Sequence, residues 1–204
     1  MLSMIKNKLY TLLLVLFICS SCSNTFDTQE KLNEYLQKEN NGYNYKKTVA
    51  NVDYVLQYRP TDLLVQQELG EDRNPAQIEK LRKRYNQYLY FNLSMSKNNQ
   101  ELLNSVSQDK AKFGQMVNDL AFGMEEKIHL YTPSKDTLSM TDFIYPRMYG
   151  MSNATSIMIV YPRDKKYMNE EYLNFVVEDL GLETGDIKFK LNTKALLNEP
   201  QLRF

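Results

Sequence analysis

The sequence predicts an α+β fold built mainly on an antiparallel sheet, with two to four helices packed on one face or edge. Three observations carry this expectation. Stretches of alternating apolar and polar residues recur in both halves of the chain. Stretches of helical period are fewer and do not alternate regularly with the strands, as a parallel sheet would require. No internal repeat or low-complexity linker divides the chain, so residues 28–204 are expected to form a single domain. A sandwich-like arrangement, with the later strands as one layer, is one way to assemble these parts.

The elements follow in order. In TQEKLNEYLQKEN, Leu32, Tyr35 and Leu36 share one helical stripe behind Thr28 as N-cap. NVDYVLQYR alternates Val52, Tyr54, Leu56 and Tyr58 with polar positions and predicts a half-buried strand ended by Pro60. A short helix is expected from Thr61. A stronger one follows, with Asn74 as N-cap, Pro75 at the first helical position and Ile78, Leu81 and Tyr85 down one face. Lys80, Arg82, Lys83 and Arg84 are expected on its solvated side.

YLYFNLSMS is the clearest strand, with Leu89, Phe91, Leu93 and Met95 on one face. DKAKFGQMVNDLAFGM predicts a helix with Phe113, Met116, Val117 and Leu120 as its apolar stripe and Gly123 as its end. KIHLYT, TSIMIVYP, YLNFVVED and DIKFKLN predict four further strands, the last two joined through the turn-rich DLGLETGD. SMTDFIYPRMYGMSNA, with two turn breakers among aromatics and methionines, predicts a long connection.

The N-terminus carries a different kind of signal. Lys6 and Lys8 precede LYTLLLVLFI, and small residues follow before a cysteine. The apolar run from Leu9 to Cys19 is too short, at about 1.5 Å per residue, to cross a hydrocarbon core of roughly 30 Å. Ser20, Ser21 and Cys22 resemble the lipobox of bacterial lipoproteins, although Cys19 stands where that family usually has Leu. The resemblance implies that residues 1–21 are a lipoprotein signal peptide and that Cys22 carries the lipid that anchors the protein to a membrane. Residues 22–27 then serve as lipidated cysteine and short tether. An ordinary cleaved signal with two incidental cysteines is the competing interpretation. The Asn-, Lys- and Tyr-rich style of the chain further resembles envelope lipoproteins of Bacteroidota, which implies an outer-membrane location.

Composition narrows the chemistry. The 25 basic and 25 acidic residues balance, so there is no electrostatic footprint for nucleic acid. The single histidine, His129, sits in a strand pattern and offers no triad. A mature chain with Cys22 as its one cysteine has no His/Cys metal set, and with 7 Gly in all no phosphate cradle or cofactor is expected. Glu178, Asp179, Glu183 and Asp186 cluster in one turn but lack calcium-loop spacing, so a solvated acidic turn is expected.

No catalytic constellation emerges, and the expectation is a non-enzymatic, lipid-anchored envelope protein that binds a protein partner or supports an assembly. A glycan- or ligand-binding protein is the alternative. Tyr145, Arg147 and Tyr149 mark the candidate partner or ligand surface in either case. A carboxylate-dependent hydrolase ranks third.

Overall fold

The computed structural model describes residues 24–71 and 73–204. The expected signal peptide and Cys22 lie outside the described residues. No helix among them is long and apolar enough to cross a membrane.

The described chain begins with β1 (Thr25–Phe26) and α1 (Gln29–Gln37), then forms the hairpin β2 (Asn44–Val49) and β3 (Val52–Arg59). Helices α2 (Thr61–Leu69) and α3 (Pro75–Tyr85) lead into β4 (Tyr88–Lys97). A helical stretch follows as α4 (Leu102–Ser105), α5 (Lys110–Asn118), a π turn at Asp119–Gly123 and α6 (Met124–Lys127). Next come β5 (Ile128–Tyr131), β6 (Thr137–Leu138), β7 (Asp142–Ile144) and β8 (Thr155–Pro162). The chain closes through α7 (Lys165–Met168), β9 (Tyr172–Val177), β10 (Ile187–Asn192), α8 (Thr193–Leu197) and β11 (Gln201–Leu202).

Two antiparallel sheets form the body, in the orders β2–β3–β4–β8–β7 and β10–β9–β5–β6. The expected fold class is therefore the observed one. Period-2 alternation sends Tyr54, Leu56 and Tyr58 of β3, Phe91 and Leu93 of β4 and Ile159 of β8 to one face, each 0–1% exposed. Leu173, Phe175 and Val177 of β9 meet them from the second sheet in one continuous core. Phe91 and Phe175 stand 5.7 Å apart between ring centroids, and Tyr161 and Phe175 6.5 Å apart. The sheets are thus the two layers of a sandwich. Tyr161 pins them together by donating to the Ile128 carbonyl at 3.3 Å.

The helices divide by task. Thr28 accepts from the Lys31 amide at 3.3 Å, and α1 buries Leu32 and Leu36 completely. Asn74 caps α3 through the amides of Ala76 and Gln77, as its sequence predicts. Helices α2 and α3 pack on each other through Val65, Leu69, Ile78 and Leu81. Leu64 of α2 then reaches Tyr90 and Val160 on the outer face of the five-stranded sheet.

Four local expectations are corrected. Strand β2 is absent from the sequence reading because Lys46, Lys47 and Thr48 face solvent and erase the alternation. It pairs with β3 across a two-residue turn in which Ala50 and Asn51 both have positive φ, the geometry of a tight hairpin. Gly123 does not end the helix that begins at Lys110: the π turn adds a residue to the winding, and Leu120 and Met124 both bury. Phe113, expected in the buried stripe, is 39% exposed. The connection after Met140 contains β7, an edge strand too short to show a period.

Candidate functional site

The two ends of the sandwich carry different chemistry. At the end where β4 starts and β8 finishes, polar and charged groups converge around a cleft of about 650 Å³ lined by Asn24, Thr61, Asp62, Lys83, Arg163 and Glu199 among others. Asp62, in the first turn of α2, accepts from Arg82 Nε at 2.8 Å and Nη2 at 2.7 Å and from the Leu202 amide at 2.8 Å. Arg82 donates further to the Leu202 carbonyl at 3.0 Å. The hydrogen bond to Asp62 raises the guanidinium pKa above its ordinary value. The sequence predicts a solvated helix face for Arg82. The side chain turns inward instead because Asp62 lies one helix away.

A second network stands beside the first. Arg163 donates to the Tyr58 hydroxyl at 2.7 Å, to Glu199 at 3.1 Å and to the Leu196 carbonyl at 3.1 Å. Glu199 also accepts from the Tyr58 hydroxyl and, at 3.2 Å, from the Thr61 amide. Burial and the neighbouring carboxylate push the Tyr58 phenol well above its ordinary pKa, so Tyr58 remains a donor. Both carboxylates are spent on guanidinium groups and backbone amides. Neither stands free opposite the other, as acid-base hydrolysis would need.

Residues 25–26, expected within a free tether, join this end of the domain. Strand β1 pairs in parallel with β11, Thr25 opposite Gln201 and Phe26 opposite Leu202. The Gln201 amide donates to the Asn24 carbonyl at 2.8 Å, and Arg203 binds Asp27 at 2.7 Å.

The opposite end carries the segment marked by Tyr145, Arg147 and Tyr149. Tyr145 packs half-buried against the core, while Arg147 and Tyr149 are exposed. Their loop follows β7 and returns to Thr155 at the far end of β8. Glu101, only 3% exposed, clamps the return by accepting from the amides of Gly150 at 3.2 Å and Ser152 at 3.1 Å. Thr155 secures the next layer by accepting from the Leu102 amide at 3.0 Å. Above the clamp, Tyr149 is 80% and Met151 79% exposed, and Ile144 is 49% exposed lower on the same segment. Tyr149 and Gly150 both have positive φ, at 52° and 79°. For tyrosine this left-handed backbone carries strain.

The remaining titratable candidates resolve into local roles. His129 lies on the outer face of β5 with Glu178 at 2.8 Å, and Lys127 stands 3.5 Å from the same carboxylate. The hydrogen bond from His129 is the first cause holding the Glu178 pKa below its ordinary value. In the acidic turn, Asp179 accepts from the Leu182 amide at 2.8 Å and so shapes the loop itself. Among the described residues, no three His, Cys, Asp or Glu are grouped to hold a metal ion.

The reading of the sequence missed Asp62, Arg82, Arg163, Glu199 and Glu101. Each acts on a residue remote along the chain, so no local pattern announces it. Pro162-Arg163 and Glu199-Pro200 had the one available signal, charged residues at strand boundaries. The chain matches no protein-family model, no curated protein and no solved structure.

Proposed function

We propose that this protein is a lipid-anchored component of the cell envelope, attached to the outer membrane through Cys22, with a non-enzymatic role in binding a protein partner. The observation that carries the binding role is the loop through Tyr149. It exposes apolar side chains, holds Tyr149 in a strained backbone and is clamped from below by a buried carboxylate. A side chain that is strained and exposed gains nothing for the fold, so its use is external. A rigid support also lowers the ordering cost of binding.

The placement of the loop supports the same conclusion. Asn24 lies at the end of the sandwich where β8 finishes, and at most about 7 Å of backbone separates it from Cys22. The loop lies at the end where β8 begins. Eight residues of strand stand between, roughly 24 Å at 3.3–3.4 Å per residue. An anchor at one end thus leaves the loop at the other, where a partner reaches it.

Two measurements test this. Metabolic labelling with a palmitate analogue is expected to mark the wild type and not Cys22→Ala; equal labelling of both would end the anchoring proposal. A photo-crosslinking residue at position 149, activated in intact cells, is expected to trap one discrete protein. Its absence, with a crosslinker at position 190 on the other sheet giving the same pattern, would remove the loop from the proposal.

A further inference from the structure

A groove of about 450 Å³ lies on the outer face of the five-stranded sheet, within the roughly 300–1,000 Å³ of small-molecule sites. Its floor is set by register. Tyr90 and Asn92, two apart on β4, point outward about 7 Å from each other, and Asn92 faces Met158 on β8 with Ser156 two positions along. Leu64 of α2 and Tyr85 of α3 form one wall. Ile144 and Pro146, leading into the clamped loop, form the other.

The hydrogen-bonding state of the floor is the informative part. Among the described residues, the side chains of Tyr90, Asn92 and Ser156 make no hydrogen bond, while the buried unpaired side-chain atoms are Asn44 Oδ1, Thr61 Oγ1 and Arg163 Nε. The Tyr90 hydroxyl, Asn92 amide and Ser156 hydroxyl therefore open onto the groove. Burial pushes the Tyr90 phenol up to about 12, which keeps it a donor at neutral pH. At the rim, Glu68 is held by Arg84 and Tyr85, whereas Arg59 gives one hydrogen bond, at 3.1 Å, to the neutral Gln67 and keeps its charge.

We infer that this groove binds a saccharide, with the Tyr90, Asn92 and Ser156 side chains engaging its hydroxyls and the apolar walls covering its ring faces. Several observations select this class. Side chains that donate and accept at short intervals on a rigid sheet suit a ligand with adjacent hydroxyls. Apolar walls on both sides suit the C–H faces of a ring, and Tyr85 adds an aromatic edge. The site is separate from Tyr145, Arg147 and Tyr149, and its test does not depend on whether Cys22 carries lipid.

The experiment is isothermal titration and saturation-transfer NMR on the full-length protein. The probes are neutral di- and trisaccharides of glucose, galactose and N-acetylglucosamine, each set against a uronic-acid counterpart. At least one probe is expected to bind, with affinity falling about tenfold or more in Tyr90→Phe and in Asn92→Ala. Ser156→Ala, which removes one surface oxygen, is expected to weaken binding while the thermal midpoint stays unchanged. Absence of binding by every probe would overturn the inference. So would binding that all three variants leave intact.

Discussion

Asp62 and Arg82 together occupy the free side of β11. The carboxylate takes the Leu202 amide at 2.8 Å while the guanidinium gives a hydrogen bond to the Leu202 carbonyl at 3.0 Å. Two side chains thus do for one residue what a neighbouring strand would do, and the edge is closed to further pairing. Arg82 also lies over the Phe204 ring at 5.1 Å, which adds a cation–π contact to the same closure.

Asp62→Ala is therefore expected to destabilise the protein by about 2–3 kcal/mol, because it strands the Leu202 amide and leaves Arg82 half-buried without its partner. Arg82→Ala should cost at least as much, since it leaves the Asp62 carboxylate, 4% exposed, buried without its cation. Urea unfolding of both single variants and the double variant measures this. Additive effects would show that the two residues do not act as a unit.

Arg163 is the more deeply held cation, with its side chain and that of Glu199 each 12% exposed. Removing it leaves Glu199 buried without its cation, so Arg163→Ala is expected to cost about 3–5 kcal/mol. Arg163→Lys should restore little, because an ammonium does not reproduce the divergent bonds to Tyr58, Glu199 and the Leu196 carbonyl. Denaturation midpoints of the two variants check the ranking.

Glu178 sets an acid-side prediction. Its pKa is lowered in the folded state from 4.5, first by the hydrogen bond from His129. The stability it contributes is present above pH 4.5 and is lost as pH falls through the lower folded-state value. With its side chain 40% exposed, the contribution should stay below about 1 kcal/mol. Glu178→Gln is expected to differ from wild type near pH 6 and to converge on it well below pH 4.5. Curves that diverge on acidification would contradict this.

Tyr149→Gly should leave stability unchanged or raise it by up to about 1 kcal/mol, because glycine takes the positive φ of 52° without strain. The same change should abolish partner capture. Glu101→Ala should act in the other order, speeding amide exchange at Gly150 and Ser152 while the body of the sandwich stays protected. Hydrogen exchange read by NMR separates the two effects.

How much of this was legible depended on range along the chain. The alternation of Val52, Tyr54, Leu56 and Tyr58 named a strand and its inner face together, because one buried side suffices to write a period of two. Thr28 and Asn74 announced their helices because caps are local. The same logic hid β2, whose Lys46 and Lys47 belong to an exposed edge, and β1 and β11, whose two residues each are too few for any period. Tyr90 and Asn92 looked like ordinary solvent-facing positions. Only the packing of Leu64 against the sheet makes their surroundings a groove.

Tyr149 belongs to a cluster of aromatics and methionines in the sequence, and it is 80% exposed. Nothing in that cluster revealed Glu101 beneath it. A carboxylate 49 positions from Gly150 becomes visible only once the strands between them have paired.

The parallel pairing of β1 with β11 sets an order of events. Asp27 and Arg203 are 176 positions apart, so the segment beside the N-terminal end of the domain finds its seat only after β11 has been made and delivered. Until then the backbone of residues 24–27 has no strand to pair with, and that end of the domain stays incomplete. Contacts of such separation form late and slow the search. The same seam then becomes a seal: protease sensitivity near residue 24 should disappear at the moment β11 arrives, and its disappearance would time the completion of the fold.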